Sequence, residues 1–270
     1  MLDYVFIFIL KWGMFGAALA TSLGYIVGAV MILAYLFHPE RILHVCRVKL
    51  SKKSLYLTIR NVGYMCRLGF SSFLCETAIA TMMFVGNYVF IRYLGEDGVA
   101  AYSIACYFFP IVFMVYNAIA QSAQPILSYN YGAKCTARVR ETFRLALTTA
   151  ILCGAGVFLL TWIFSHQIVG MFLDSSYPAY NIAVKGLPLF ASGFVFFGIN
   201  IVSIGYFQSL ERDCPAMIIT LLRGFALILL CFWILPIIWG SWGIWLAVPM
   251  SELLTFLFVL VIYWLENRRN

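Results

Sequence analysis

The sequence predicts an all-α protein that crosses a membrane about seven times. Three observations carry this reading. Of the 270 residues, 63% are apolar and only 11% are charged, too few charges to cover a water-exposed globule. The apolar residues come in blocks of about twenty or more, each long enough at 1.5 Å per residue to cross a hydrocarbon layer of about 30 Å. The blocks lack the short alternating pattern of a transmembrane barrel, so helices are expected rather than strands.

Taken in order, the apolar runs bounded by Gly, Pro and charge fall at 14–37, 68–93, 99–128, 145–166, 184–208, 215–237 and 243–265. Residues 1–10 are apolar but carry Asp3, lack the basic start of a secretory signal and are too short to span; they read as the trailing end of a helix. Basic residues set the orientation. Segment 38–67 holds Arg41, Arg47, Lys49, Lys52, Lys53, Arg60 and Arg67; segment 130–144 holds Lys134, Arg138, Arg140 and Arg144; Arg212, Arg268 and Arg269 follow on the same side. The opposite loops, 95–98, 167–181 and 238–242, contain no Lys or Arg. The positive-inside tendency makes the basic face cytoplasmic, with the C-terminus inside and the N-terminus outside.

A repeat follows from comparing the ends. Trp12-Gly13-Met14-Phe15-Gly16-Ala17-Ala18-Leu19-Ala20 aligns with Trp239-Gly240-Ser241-Trp242-Gly243-Ile244-Trp245-Leu246-Ala247, identical at five of nine positions. Chance similarity between two Gly- and Trp-rich span entries is one explanation and duplication the other. Under duplication the first and seventh spans are equivalent, residues 68–270 form a six-helix C-terminal lobe, residues 1–37 hold the last helix of an N-terminal lobe, and the rest of that lobe is expected to be missing. Residues 38–67 would link the lobes. Leu43, Val45, Val48, Leu55, Leu57 and Ile59 alternate there with Lys and Arg, which suits a helix lying on an anionic membrane surface or a solvated linker.

Carboxylates inside hydrocarbon are costly, and the spans contain two, Glu76 and Glu252. Each is a candidate for binding a coupling ion and responding to a cationic substrate, because burial raises a carboxyl pKa and a nearby cation lowers it again. Each can also be a structural group satisfied between helices; Pro249 frees a backbone carbonyl near Glu252 that a protonated Glu could cap. Asn117, Gln121 and Gln124 fall on one helical face between Pro110 and Pro125, either lining a wet path or joining helices. Tyr116, Gln124, Asn117 and Asn200 are the candidate cavity-lining groups, and Phe73, Phe109 and Phe196 could offer π faces to a flat cation. Arg223 is expected to pair with a carboxylate.

Other chemistry is excluded or unsupported. The eight cysteines show no Cys-x-x-Cys and read as small apolar residues, and His38, His44 and His166 lack partners at zinc spacing, so neither a metal site nor an enzyme is expected. The sequence has no Gly-rich Lys loop for ATP. Its basic residues are scattered over loops rather than gathered into a phosphate-binding patch, so no nucleic acid is expected.

Several segments in order resemble the multidrug and toxic compound extrusion (MATE) family. These are Gln121-Ser122-Ala123-Gln124-Pro125-Ile126-Leu127-Ser128-Tyr129-Asn130-Tyr131-Gly132-Ala133-Lys134, the Glu of Gly69-Phe70-Ser71-Ser72-Phe73-Leu74-Cys75-Glu76, Tyr206-Phe207-Gln208-Ser209-Leu210, Leu221-Leu222-Arg223, and Trp245, Pro249, Ser251 and Glu252. The resemblance implies two six-helix lobes, export of organic cations or drugs in exchange for sodium ions or protons with no other cofactor, and residence in a bacterial inner membrane. It makes Glu76 the seventh-helix coupling glutamate. Some members carry an aspartate in the tenth helix, where this chain has Phe197 and Asn200. Two rivals stand beside efflux: a lipid-linked oligosaccharide flippase of the same superfamily, and a fragment that does not transport.

Overall fold

The computed structural model describes residues 4–37 and 51–267, and among these no strand occurs. The chain divides into two compact units, Met1–Asn61 and Val62–Asn270. In the first, Val5–Ile9 is a single π-helical turn closed by the Leu10 N–H on the Val5 carbonyl at 2.9 Å, and the Trp12 ring stacks on Phe6 at 5.5 Å. Helix α1, Gly13–Leu36, has 24 residues and so spans about 36 Å. It buries only Gly16 and Ala20 and presents Leu, Ile, Val and Tyr outward, as a lipid-facing helix does. Its Thr21 and Ser22 hydroxyls donate to the Ala17 and Ala18 carbonyls, so neither needs water.

Residues 38–50, with Leu43, Val45 and Val48 of the expected interfacial segment, lie outside the described residues. The chain is helical again from Lys52: residues 52–67, expected in the linker, are the leading turns of helix α2, Lys52–Gly132. This helix is not one rod. At Gly95 the backbone leaves helical geometry (φ 67°, ψ −157°) and the chain doubles back. Tyr102 Oη donates to the Met82 carbonyl at 3.2 Å, whereas twenty residues of straight helix would separate them by about 30 Å. Helix α3, Thr136–Ile163, follows a tight turn in which Lys134 takes a positive φ of 58°. The short α4, Ser165–Gly170, leads to a loop where Asp174 accepts the Ser176 N–H at 2.9 Å; that bond holds its carboxyl below the usual carboxylate range.

Helices α5, Pro178–Ala191, and α6, Phe194–Ser209, form one pass bent by 42° at Ser192 and Gly193. Helix α7, Asp213–Leu221, continues through a π-helical turn, Leu222–Ala226, into α8, Leu227–Asn267, which reverses at Gly240 (φ 56°, ψ −132°). The pass through α1, two arms of α2, α3, the bent α5–α6 pair and two arms of α7–α8 make seven apolar passes among the described residues, six of them in the second unit. Their limits follow the runs read from the sequence to within several residues, except that the first arm of α2 begins at Lys52 rather than 68 and α3 at Thr136 rather than 145.

The two aligned end segments share a backbone conformation. Gly13 and Gly240 occupy the same place in the aligned motif and both take positive φ, 54° and 56°. Gly95-Glu96-Asp97-Gly98 is a third instance of the same spacing. In the two reversals the first Gly adopts the left-handed backbone that restarts the helix, and the second lets the new helix touch the old one: a Cβ on Gly98 would meet Leu94, and one on Gly243 would meet the Leu235 carbonyl.

The second unit is packed around aromatic rings. Phe90 stacks on Tyr102 at 4.3 Å and meets Trp245 edge-on at 4.8 Å; deeper in, Phe109 stacks on Phe197 at 4.7 Å. The described cysteines are all unpaired, and Cys75 and Cys231 are buried as small apolar residues.

Candidate functional site

Two polar constellations lie inside the apolar second unit. The first is a cleft of about 150 Å³ lined by Ser72, Glu76, Asn117, Gln121, Gln124 and Gln208 on an apolar wall that includes Phe113 and Ile204. The first arm of α2 brings Ser72 and Glu76, one helical turn apart; the second arm brings Asn117, Gln121 and Gln124 at spacings of four and three; α6 adds Gln208 near its end. Gln124 Nε2 donates to Gln208 Oε1 at 3.2 Å, and Gln208 Nε2 reaches Ser72 Oγ at 3.4 Å. Ser128 ties the same two helices, donating to the Gln124 carbonyl at 2.8 Å and the Ser209 carbonyl at 3.2 Å. Glu76 is exposed to this space and makes no ion pair among the described residues. A carboxylate surrounded by amides offers oxygen ligands to a small cation, or an acceptor for a proton.

The second constellation is dry. Glu252, 4% exposed, accepts from Arg223 Nε at 3.0 Å through Oε1 and from Asn200 Nδ2 at 2.8 Å through Oε2. The same Asn200 amide also donates to the Glu252 backbone carbonyl at 3.0 Å. The Arg223 guanidinium lies 4.5 Å above the Phe197 ring, which is itself fixed by Phe109 and Tyr116. Arg223 sits in the π-helical turn, where an additional residue per turn resets the face that follows. Arg223 Nη1 and Asn200 Oδ1 are buried without a partner, and beside the pair is a void of about 10 Å³, near the minimum for one water.

The sequence-derived candidates divide between these places. Glu76, Gln124 and Asn117 line the cleft. Gln121, read equally as a link between helices, lines it too. Glu252 does not face the cleft; it is the partner of Arg223, so its charge is balanced by the protein itself and not by a capped backbone carbonyl. Asn200 is 0% exposed and spends its amide on Glu252 rather than lining a cavity. Tyr116 is likewise fully buried, its hydroxyl donating to the Phe194 carbonyl at 2.8 Å, and so does not line the cleft. Phe109 is buried against Phe197, Phe196 packs on Phe256, and Phe73 is exposed outside the cleft. Gln208 and Ser72 also line the cleft and carry no such signal in the sequence, since both stand near span ends, where a polar residue ordinarily marks only the membrane surface.

Known proteins share this architecture. The chain is 21% identical over 268 residues to the multidrug export protein MepA of Staphylococcus saprophyticus, covering 99% of this chain and 57% of that protein. It is 26% identical over 243 residues to the probable multidrug resistance protein NorM of Rhizobium meliloti, covering 86% of this chain and 50% of that protein. The chain thus spans about half the length of these curated relatives. Among solved structures, an outward-facing multidrug resistance MATE family transporter of the MOP superfamily superposes with a TM-score of 0.83 at 21% identity, over 96% of this chain and 58% of that one. A MOP superfamily transporter from Pyrococcus furiosus, described as having a binding pocket of reverse polarity that suggests a different function, superposes equally well at 20% identity over 96% of this chain and 57% of that one. The MatE family profile matches residues 72–233, more than half of the chain and both polar constellations but for Glu252. Seven apolar passes, a six-pass unit with this fold and that match together establish that the chain belongs to the MATE family of membrane transporters.

Proposed function

We propose that this chain works in secondary active efflux, exporting organic cations in exchange for sodium ions or protons, with Glu76 as the ion-responsive group. The observation that carries the proposal is the contrast between the two carboxylates. Glu252 has its counter-charge within the protein, whereas Glu76 opens into an amide-lined cleft with no protein cation beside it among the described residues. A carboxylate within the apolar passes that lacks an internal partner is free to meet a proton or a mobile cation, and competition between the two links cation departure to ion entry. The multidrug export relatives support the substrate class. The cleft is smaller than the roughly 300–1,000 Å³ that drug-sized ligands fill. In the proposed cycle it is one wall of a larger cavity closed by a second helical lobe, which rocks between two faces of a bacterial inner membrane with the C-terminus in the cytoplasm.

The flippase alternative fits less well. A lipid diphosphate calls for cationic lining, and the cleft has no Lys or Arg, while Arg223 is spent on Glu252. Ethidium accumulation in an efflux-deficient host tests the proposal, using the full reading frame and Glu76→Gln within it. Export should be ion-gradient dependent and lost in Glu76→Gln at unchanged membrane insertion. Undiminished export by that variant overturns the assignment of Glu76.

A further inference from the structure

A third recess lies at the other end of the six-pass unit, beside the Gly95 and Gly240 reversals, and nothing in the efflux reading uses it. It has a volume of about 250 Å³ and is lined by Leu94, Ile182, Lys185, Gly186, Leu189, Ser241, Trp242 and Trp245. Its floor is apolar and rigid. Trp245 lies flush on Gly186, where a Cβ would collide with the indole, and is held from behind by Phe90 and Tyr102. Leu94, Ile182 and Leu189 are the walls. The rim is polar: Lys185, Ser241 and the half-exposed Trp242.

We propose that this recess binds an anionic diacyl phospholipid, its phosphate at Lys185 and Ser241 and the upper part of one acyl chain on Trp245, Leu94 and Leu189. Three features fit that occupant. Trp239 and Trp242 are exposed at the Gly240 reversal, as indoles are at headgroup depth. Lys185 makes no ion pair among the described residues. It stands two turns into α5, and because helical side chains tilt toward the helix N-terminus, its amine reaches toward the reversals and the headgroup layer. The floor below it is apolar, so a bare anion would leave that surface unfilled, whereas a lipid covers both parts. Glu96 and Asp97, exposed on the adjoining turn, do not line the recess.

The purified chain in detergent is titrated with dioleoyl phosphatidylglycerol or dioleoyl phosphatidylcholine, and bound lipid is counted by native mass spectrometry. Phosphatidylglycerol should be retained over phosphatidylcholine. Lys185→Met should weaken phosphatidylglycerol binding by about fivefold, the loss of one cation beside an anionic headgroup, and leave phosphatidylcholine unchanged. Arg92→Met removes an exposed cation near the same reversal but outside the recess and should change neither. An equal loss in Arg92→Met, no loss in Lys185→Met, or displacement of the lipid by inorganic phosphate would each overturn the site.

Discussion

Replacing Glu252 by Gln should cost far more stability than its place in a single pair implies. The carboxylate and the Arg223 side chain are 5% and 3% exposed, so the guanidinium left behind cannot reach water. Removing one partner of such a pair costs about 3–5 kcal/mol, because a charge remains buried without compensation. Removing both, in Arg223→Met with Glu252→Leu, eliminates that charge and leaves chiefly the Asn200 amide with only the residue-252 backbone carbonyl to donate to, about 1–3 kcal/mol. Adding Asn200→Leu should then bring stability back toward that of the parent. Thermal unfolding in detergent, followed by the surviving monodisperse fraction, ranks the four proteins: Glu252→Gln lowest, the double variant above it, the triple above both. A Glu252→Gln protein as stable as the parent, or a double variant no better than the single, refutes the reasoning. Ion-gradient-driven export, scored per folded molecule, should be unchanged in Glu252→Gln; its loss from well-folded protein would return Glu252 to ion coupling.

Gly240→Ala places a Cβ in open space, so its cost is that of the left-handed backbone alone, about 1–3 kcal/mol, read as a fall in unfolding temperature. Tyr116→Phe removes a buried hydrogen bond to the Phe194 carbonyl, which keeps its place in the α6 ladder, and should cost about 1 kcal/mol with export intact; a specific loss of export would place Tyr116 in the transport path.

Much of this molecule is legible in its residues because the bilayer imposes a simple rule. Each pass must be long, apolar and internally hydrogen-bonded, so seven runs became seven passes with only their limits shifted. The stripe Asn117, Gln121, Gln124 was legible for the same reason, since a 3.6-residue period puts those amides on one face, and that face opens to the cleft. Tyr116 follows a different rule. It is adjacent in sequence to Asn117 but about 100° around the helix, among the buried Phe109, Val112 and Ala123, where its hydroxyl found a carbonyl on α6. The reversal at Gly95 is legible as a short loop; the device it shares with Gly240 is masked because Glu96 and Asp97 stand between its glycines where Ser241 and Trp242 stand in the other.

A polytopic helical membrane protein with two carboxylates in its spans is legible from residue order alone, because the cost of placing a segment in hydrocarbon is summed over that segment's own residues. What those carboxylates face depends on packing between helices. Arg223 and Glu252 are 29 residues apart and meet only because Gly240 folds one helix back on another, and Asn200 joins them from a third. Coulomb attraction depends on distance in space, which no single helix specifies. The same packing that neutralised Glu252 left Glu76 open to the cleft, and that asymmetry separates the structural carboxylate from the one proposed to meet the moving ion.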